Sequence, residues 1–366
     1  MENNSSTSHF REPASPRFPP VSLRALWLLP LGIVLVEAAL RLMPAGFMIR
    51  TVRARMAEIV SLPAPKLQIM GDSVTARINA ANLAEAADLP VETVGNYSLP
   101  GTSPVFALFT LRRELAAGRV PARILFAPHP ANLETPMIDR FIGRFGTAEE
   151  CADLLTHGVS LPDWLFGAAC RASLAMRNRE EFRLAITQGD FGFFRTLRTP
   201  AASVMNSRTK IAPSSAPPPL ALVPADFPAQ LSAPFFVDAV NARYIDLFCD
   251  LAESRGIQVT WVTVPVIGLF QERAMSGNGA AKFQSFLAGL EARHRNVTLL
   301  HPEIEVYPDS CFADAWHLNA YGALRFSTEL GVALKEAAPG AGTEIQRSPG
   351  NWPDGHRFRF AGNSTL

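Results

Sequence analysis

Neither sign of charge is in excess. Lysine and arginine total 34 against 33 acids in 366 residues, and no basic cluster is interleaved with aromatic residues. The electrostatic footprint of a nucleic-acid binder is therefore missing, and that class is set aside. Cysteine is just as sparse. Cys151, Cys170, Cys249 and Cys311 lie far apart, with no C-x-x-C and no Cys/His pairing at the spacing zinc requires. They read as buried apolar thiols; a Cys151 to Cys170 disulfide would be plausible only in an oxidising compartment. The chain also lacks an internal repeat.

What is present begins with an apolar run. Polar residues 1–22 have the composition of a disordered segment, and "ALWLLPLGIVLV" then runs without a charge from Ala25 to Val36. Alone it is too short for a bilayer about 30 Å thick, which takes roughly 20 apolar residues. It continues through "EAALRLMPAGFMI", where Glu37 and Arg41 stand four apart and can pair on a helix. We read a single membrane anchor over 23–49. A cleaved signal peptide fits less well, because no A-x-A site follows the apolar core. An interfacial helix is the third reading. Arginines lie on both sides of the run, so the positive-inside rule does not choose an orientation.

From Lys66 onward short apolar runs alternate with helical stretches. "LQIM", "VETVGN" and "ARILFAP" read as strands, with "TARINAANLAEAA" and "VFALFTLRRELAAG" as the helices between them. Such alternation predicts an α/β fold, a parallel sheet covered by helices on both faces. The rhythm breaks at residue 136, where helical spacing without β-branched runs predicts a helical insertion that ends in a proline-rich linker, 136–235. It returns with "VDAVNARYIDLFCDLAESRG" as a helix, "IQVTWVTV" as a strand, "AAKFQSFLAGLEARH" as a helix, "VTLL" as a strand, and a last helix starting near Asn319. The main domain is thus expected in two parts, 62–135 and 236–338, before a polar, glycine- and proline-rich tail at 339–366 that reads as disordered.

In a parallel sheet the loops leaving the carboxyl ends of the strands share one edge, and ligands bind there. The first loop carries Ser73, the second Asn96 and Gly101, the third His129 and Asn132; a late loop, "CFADAWHLNAYG", carries Asp314 and His317. A serine hydroxyl becomes a useful nucleophile when an imidazole takes its proton, and the imidazole needs a carboxylate to fix its tautomer. Asp314 and His317, three residues apart, supply both. The backbone N–H groups of Ser73 and Gly101 and the side-chain amide of Asn132 are candidate oxyanion donors. Blander readings exist: Ser73 or Asp314 as a helix cap, His317 and His129 as ordinary loop histidines, Asn132 and Gly101 as turn residues. The N-x-S/T sequons, including those at Asn96 and Asn296, are of a kind frequent by chance.

The blocks "GDSVTA", "NYSLPGTSP", "PHPANLE" and "DAWHLNAYG", in this order over residues 66–135 and 237–335, resemble the SGNH or GDSL hydrolases. The first and last are the specific ones. The third departs from the family's G-x-N-D pattern, with no glycine before Asn132 and leucine after it. The resemblance implies a three-layer, flavodoxin-like sheet, a Ser73, His317, Asp314 triad, an oxyanion hole with Gly101 and Asn132, and neither metal nor organic cofactor. An amino-terminal anchor ahead of such a domain is similar to envelope proteins of alginate acetylation and teichoic-acid D-alanylation. That likeness implies an acyl-ester or polysaccharide substrate, a multipass membrane acyltransferase as partner, and a domain held at the cytoplasmic membrane on its periplasmic or outer side. The competing expectation is a catalytically silent scaffold that recruits such an acyltransferase.

Overall fold

The computed structural model describes residues 64–179 and 227–337, with isolated residues between 31 and 38, at 59, at 183, at 209–212 and at 223. Most of the anchor expected over 23–49, the segments expected to be disordered at 1–22 and 339–366, and most of the expected proline-rich linker therefore lie outside the described residues. Among the described residues no helix is long and apolar enough to cross a membrane.

Five parallel strands form the centre: β1 (Leu67–Met70), β2 (Val94–Asn96), β3 (Arg123–Phe126), β4 (Gln258–Val262) and β6 (Val297–His301), in the order β2-β1-β3-β4-β6. β1 is buried along its whole length, as an interior strand covered on both faces must be. Five helices flank the sheet: α1 (Ala80–Ala86), α2 (Pro104–Ala116), α7 (Ala239–Ser254), α9 (Gly279–Arg293) and α10 (Ala320–Glu336). The expected α/β class is present. β5 (Val266–Ile267) and β7 (Val306–Tyr307) form a separate two-stranded parallel pair, which the sequence did not announce, and α8 (Gly268–Ala274) follows β5 directly.

Aromatic side chains join the layers. Phe126 of β3 meets Phe248 of α7 at 4.9 Å between ring centroids and Trp261 of β4 at 5.3 Å, edge on. α10 packs against α1 where Gly331 leaves room: a Cβ there would stand 2.5 Å from the Leu83 carbonyl oxygen. Where a helical insertion is expected, the described residues carry four helices, α3 (Ile138–Arg144), α4 (Ala148–Thr156), α5 (Leu161–Ala172) and α6 (Leu174–Arg177). This segment shares the main core, since Phe141 of α3 stacks on Phe109 of α2 at 4.7 Å. Arg113 of α2 holds Glu150 of α4, with its Nε 2.7 Å from the carboxylate.

Two sequence expectations shift at their edges. The helix expected from Thr75 begins at Ala80, capped by the Asn79 side chain, and residues 75–77 form a single 3-10 turn instead. The second strand covers only Val94–Asn96, because Val91–Thr93 also winds into a 3-10 turn. The four cysteines are buried free thiols, as first read, with no bridge between Cys151 and Cys170.

The strand order fixes where a site can form. β1 and β3 are neighbours in register, Met70 beside Phe126, yet the chain leaves β1 toward β2 on the other side. The crevice beyond their carboxyl ends is the topological switch point of the sheet.

Candidate active site

Gly71 follows β1 at that crevice. A Cβ on it would overlap the Thr75 side chain and stand 2.8 Å from the Ala127 carbonyl oxygen. Close approach, rather than an unusual dihedral, is what glycine provides here. It lets the turn after β1 lie against the end of β3, and the Thr75 hydroxyl donates to the Ala127 carbonyl.

Asp72 holds the turn. Its carboxylate is buried; Oδ1 accepts the N–H groups of Val74 at 2.9 Å and Thr75 at 3.4 Å, and Oδ2 accepts the His129 N–H at 2.7 Å and the Asn132 amide at 2.6 Å. From the other side the Asn96 amide donates to the carbonyls of Thr75 at 3.0 Å and Ile78 at 2.8 Å. Ser73 therefore sits in a turn braced by two buried polar side chains. It is not a helix cap: Asn79 caps α1, and the 3-10 turn has no side-chain cap.

The late loop brings its partner. His317 Nε2 lies 2.9 Å from Ser73 Oγ, and His317 Nδ1 lies 2.9 Å from Asp314 Oδ2 and 3.0 Å from Oδ1. Asp314 Oδ1 also accepts the N–H groups of Trp316 and His317, both at 2.8 Å, which closes the loop on itself. Partial burial pushes the Asp314 carboxyl up. The bonds from the His317 ring and the two N–H groups outweigh that and hold it at about 2. A carboxylate that stays ionised down to about pH 2 keeps the Nδ1 proton in place, which leaves Nε2 to accept from serine. The rest of the motif serves the same loop. Asn319 caps α10 and donates to the carbonyls of Ser310 and Phe312 at 2.7 and 3.1 Å, while Gly322 is in contact with Cys311, where a Cβ would collide with the carbonyl.

The candidate oxyanion donors have distinct settings. Asn132 spends one N–H on Asp72; a primary amide carries two, so the second remains for a ligand. The segment carrying Gly101 is drawn beside Gly71, with the Tyr97 N–H on the Ile69 carbonyl at 2.7 Å and the Leu99 N–H on the Gly71 carbonyl at 3.0 Å. Gly101 itself turns the chain with φ of 65°, in the left-handed region.

The settings of two residues near this site, Asp72 and His129, are not readable from the sequence. Asp72 was visible only as the middle of "GDS", and nothing in the sequence says that its carboxylate reaches the third loop. His129 was read as an ordinary loop histidine, yet it is buried. Its Nδ1 accepts the Ala131 N–H at 3.2 Å, and its ring meets Trp316 at 5.3 Å and Phe270 of α8 at 5.2 Å. Burial is the main cause that lowers its pKa to about 4; nearby Asp72 opposes the shift and His317 adds to it. His129 is thus neutral at ordinary pH, with its proton on Nε2. Phe227, at the end of the linker region, completes this aromatic group by meeting Trp316 at 4.6 Å.

The sequon asparagines Asn96 and Asn296 are buried, and their amides are committed to backbone carbonyls, Asn296 to those of Cys249 and Ile257. Neither is open to a glycan. The chain matches no protein-family model and no curated protein.

Proposed function

We propose that this chain is an SGNH-like serine esterase or O-acyltransferase. The observation carrying the reading is the continuous hydrogen-bonded line from Asp314 through His317 to Ser73, closed at 2.9 Å at its reacting end. Ser73 Oγ attacks the acyl carbon as its proton passes to His317 Nε2, and Asp314 stabilises the imidazolium that forms. The second N–H of Asn132 and the N–H groups of Ser73 and Gly101 receive the oxyanion. His317 then returns the proton to the leaving alcohol, which leaves an ester on Ser73. A second alcohol or water, deprotonated by His317, takes the acyl group and frees the serine. No metal is required at this step.

The substrate in this proposal is an acyl ester, acetyl in the first instance, of an envelope polysaccharide. The chain works at the cytoplasmic membrane through its amino-terminal apolar run, beside a multipass acyltransferase. A silent scaffold is the alternative, and the departure of the third block from G-x-N-D favours it. One experiment separates the two. Fluorophosphonate labels the serine, and p-nitrophenyl acetate reports turnover, in wild type beside Ser73→Ala and His317→Ala. Stoichiometric labelling lost in both variants supports the enzyme; no labelling of folded wild-type protein supports the scaffold.

A further inference from the structure

At the opposite edge of the sheet, α7 and α9 bring their carboxyl ends together ahead of β4 and β6. Asp246, Asp250 and Glu253 share one stripe of α7 at intervals of four and three residues. His294, the first residue after α9, packs its ring against that stripe with a side chain only 5 % exposed. His294 Nε2 lies 2.9 Å from Asp246 Oδ1, and Arg293 holds the same oxygen at 2.8 Å. The other ring nitrogen is not satisfied. Nδ1 is buried without a hydrogen-bond partner, although Asp250 Oδ1 is only 3.3 Å away. Ligating atoms of Asp250, Glu253 and His294 all lie within 4.8 Å of one another, the one such group among the described residues.

We propose that Asp250, Glu253 and His294 bind a divalent transition-metal ion, zinc being the first choice, with Asp246 orienting the histidine. A proton on Nε2 shared with Asp246 leaves the Nδ1 lone pair facing carboxylate oxygen, an arrangement that repels unless a cation lies between them. One imidazole and two carboxylates suit zinc and its neighbours in the first transition row. Ligand atoms around a tetrahedral ion with bonds of about 2.1 Å stand roughly 3.4 Å apart, so small rotations of the exposed Asp250 and Glu253 close the set. A carboxylate on the far nitrogen of a ligating histidine is the usual orienting partner. Both helices point their negative dipole ends at this place, which adds to the attraction for a cation. The ion staples α7 to α9 at the edge away from Ser73. This role is structural and independent of the proposed chemistry.

The plain alternative is an imidazolium paired with its acids and no ion. The test uses the untagged full chain stripped of metal, titrated with ZnCl2 by calorimetry and followed by thermal unfolding, with Co2+ absorption as a second probe. The expected result is one saturable equivalent of zinc, a rise in Tm, and visible bands of nitrogen- and oxygen-ligated cobalt. Asp250→Asn with Glu253→Gln changes only exposed side chains and should abolish all three signals. Asp246→Asn should weaken zinc about 10- to 100-fold. Absence of a one-equivalent site in the wild type, or unchanged binding in the double variant, overturns the proposal.

Discussion

Asp72 Oδ2 and Asn132 Nδ2 stand 2.6 Å apart, joining the turn that follows β1 to the loop that follows β3. The same carboxylate takes three backbone N–H groups as well, so one buried side chain sets the position of the serine turn and of the candidate oxyanion donor together. Replacing Asp72 by Asn puts an amide where four donors converge. We expect a loss of stability of about 3 kcal/mol, since buried donors to a charged group are left unpaired. The kcat for p-nitrophenyl acetate should fall about 100-fold as Asn132 loses its aim, with KM nearly unchanged. Urea unfolding and steady-state kinetics check both; unchanged kcat in a folded variant removes Asn132 from the oxyanion hole.

The carboxylate of Asp314 has a different duty. It fixes the tautomer of His317 through Nδ1. Asp314→Asn should lower kcat by about 10⁴-fold while leaving the fold intact, because an amide can present its N–H and turn the imidazole the wrong way round. The folded carboxyl is held at about 2 against an ordinary 3.8. A depressed acid contributes stability that is present above the ordinary value and lost as pH falls toward the folded one. Wild type should therefore lose stability more steeply than Asp314→Asn between about pH 4 and pH 2, as read by circular dichroism.

The grouping of Ser73, His317 and Asp314 was legible because the proposed chemistry needs these residue types and the loop order of a parallel sheet brings them to one edge. Asn319 and Gly322 were legible as motif letters, and the structure supplies their reasons: a cap with two carbonyl partners, and close contact with Cys311. The start of α1 was not legible. Helical spacing runs through 75–79, but Asp72 and Asn96 hold the carbonyls and N–H groups of that segment, and this long-range hold overrides local preference. β5, β7 and α8 are too short to leave a periodic signal. His129 shows the same limit: its burial comes from Trp316 and Phe270, which are remote in sequence.

Gly322 offers a test of the late loop from behind. A Cβ at this position would strike the Cys311 carbonyl and lie 2.9 Å from the Cys311 Cβ, both in the segment that leads into Asp314. Gly322→Ala should destabilise by about 1–3 kcal/mol, the usual cost of overpacking. Displacement of the loop should also lengthen the His317 to Ser73 contact and slow fluorophosphonate labelling at least tenfold. Normal labelling at reduced Tm would show that the loop adjusts without moving His317.

Far from the site, Glu114 of α2 is buried beneath β1, where Gln68 Nε2 donates to its Oε1 at 3.1 Å. Burial raises its pKa to about 7 from an ordinary 4.5, more than the Gln68 bond and the nearby Arg119 charge lower it. The sign is opposite to that of Asp314. Between about pH 4.5 and 7 the unfolded chain has lost this proton while the folded chain keeps it, so stability falls as pH rises through that window. At about 1.4 kcal/mol for each pH unit the effect comes to roughly 3.5 kcal/mol. Glu114→Gln removes the titration and keeps the shape. It should flatten the decline and raise Tm at pH 8, whereas a wild-type curve without a decline between pH 5 and pH 7 would mean that Glu114 is ionised in the fold.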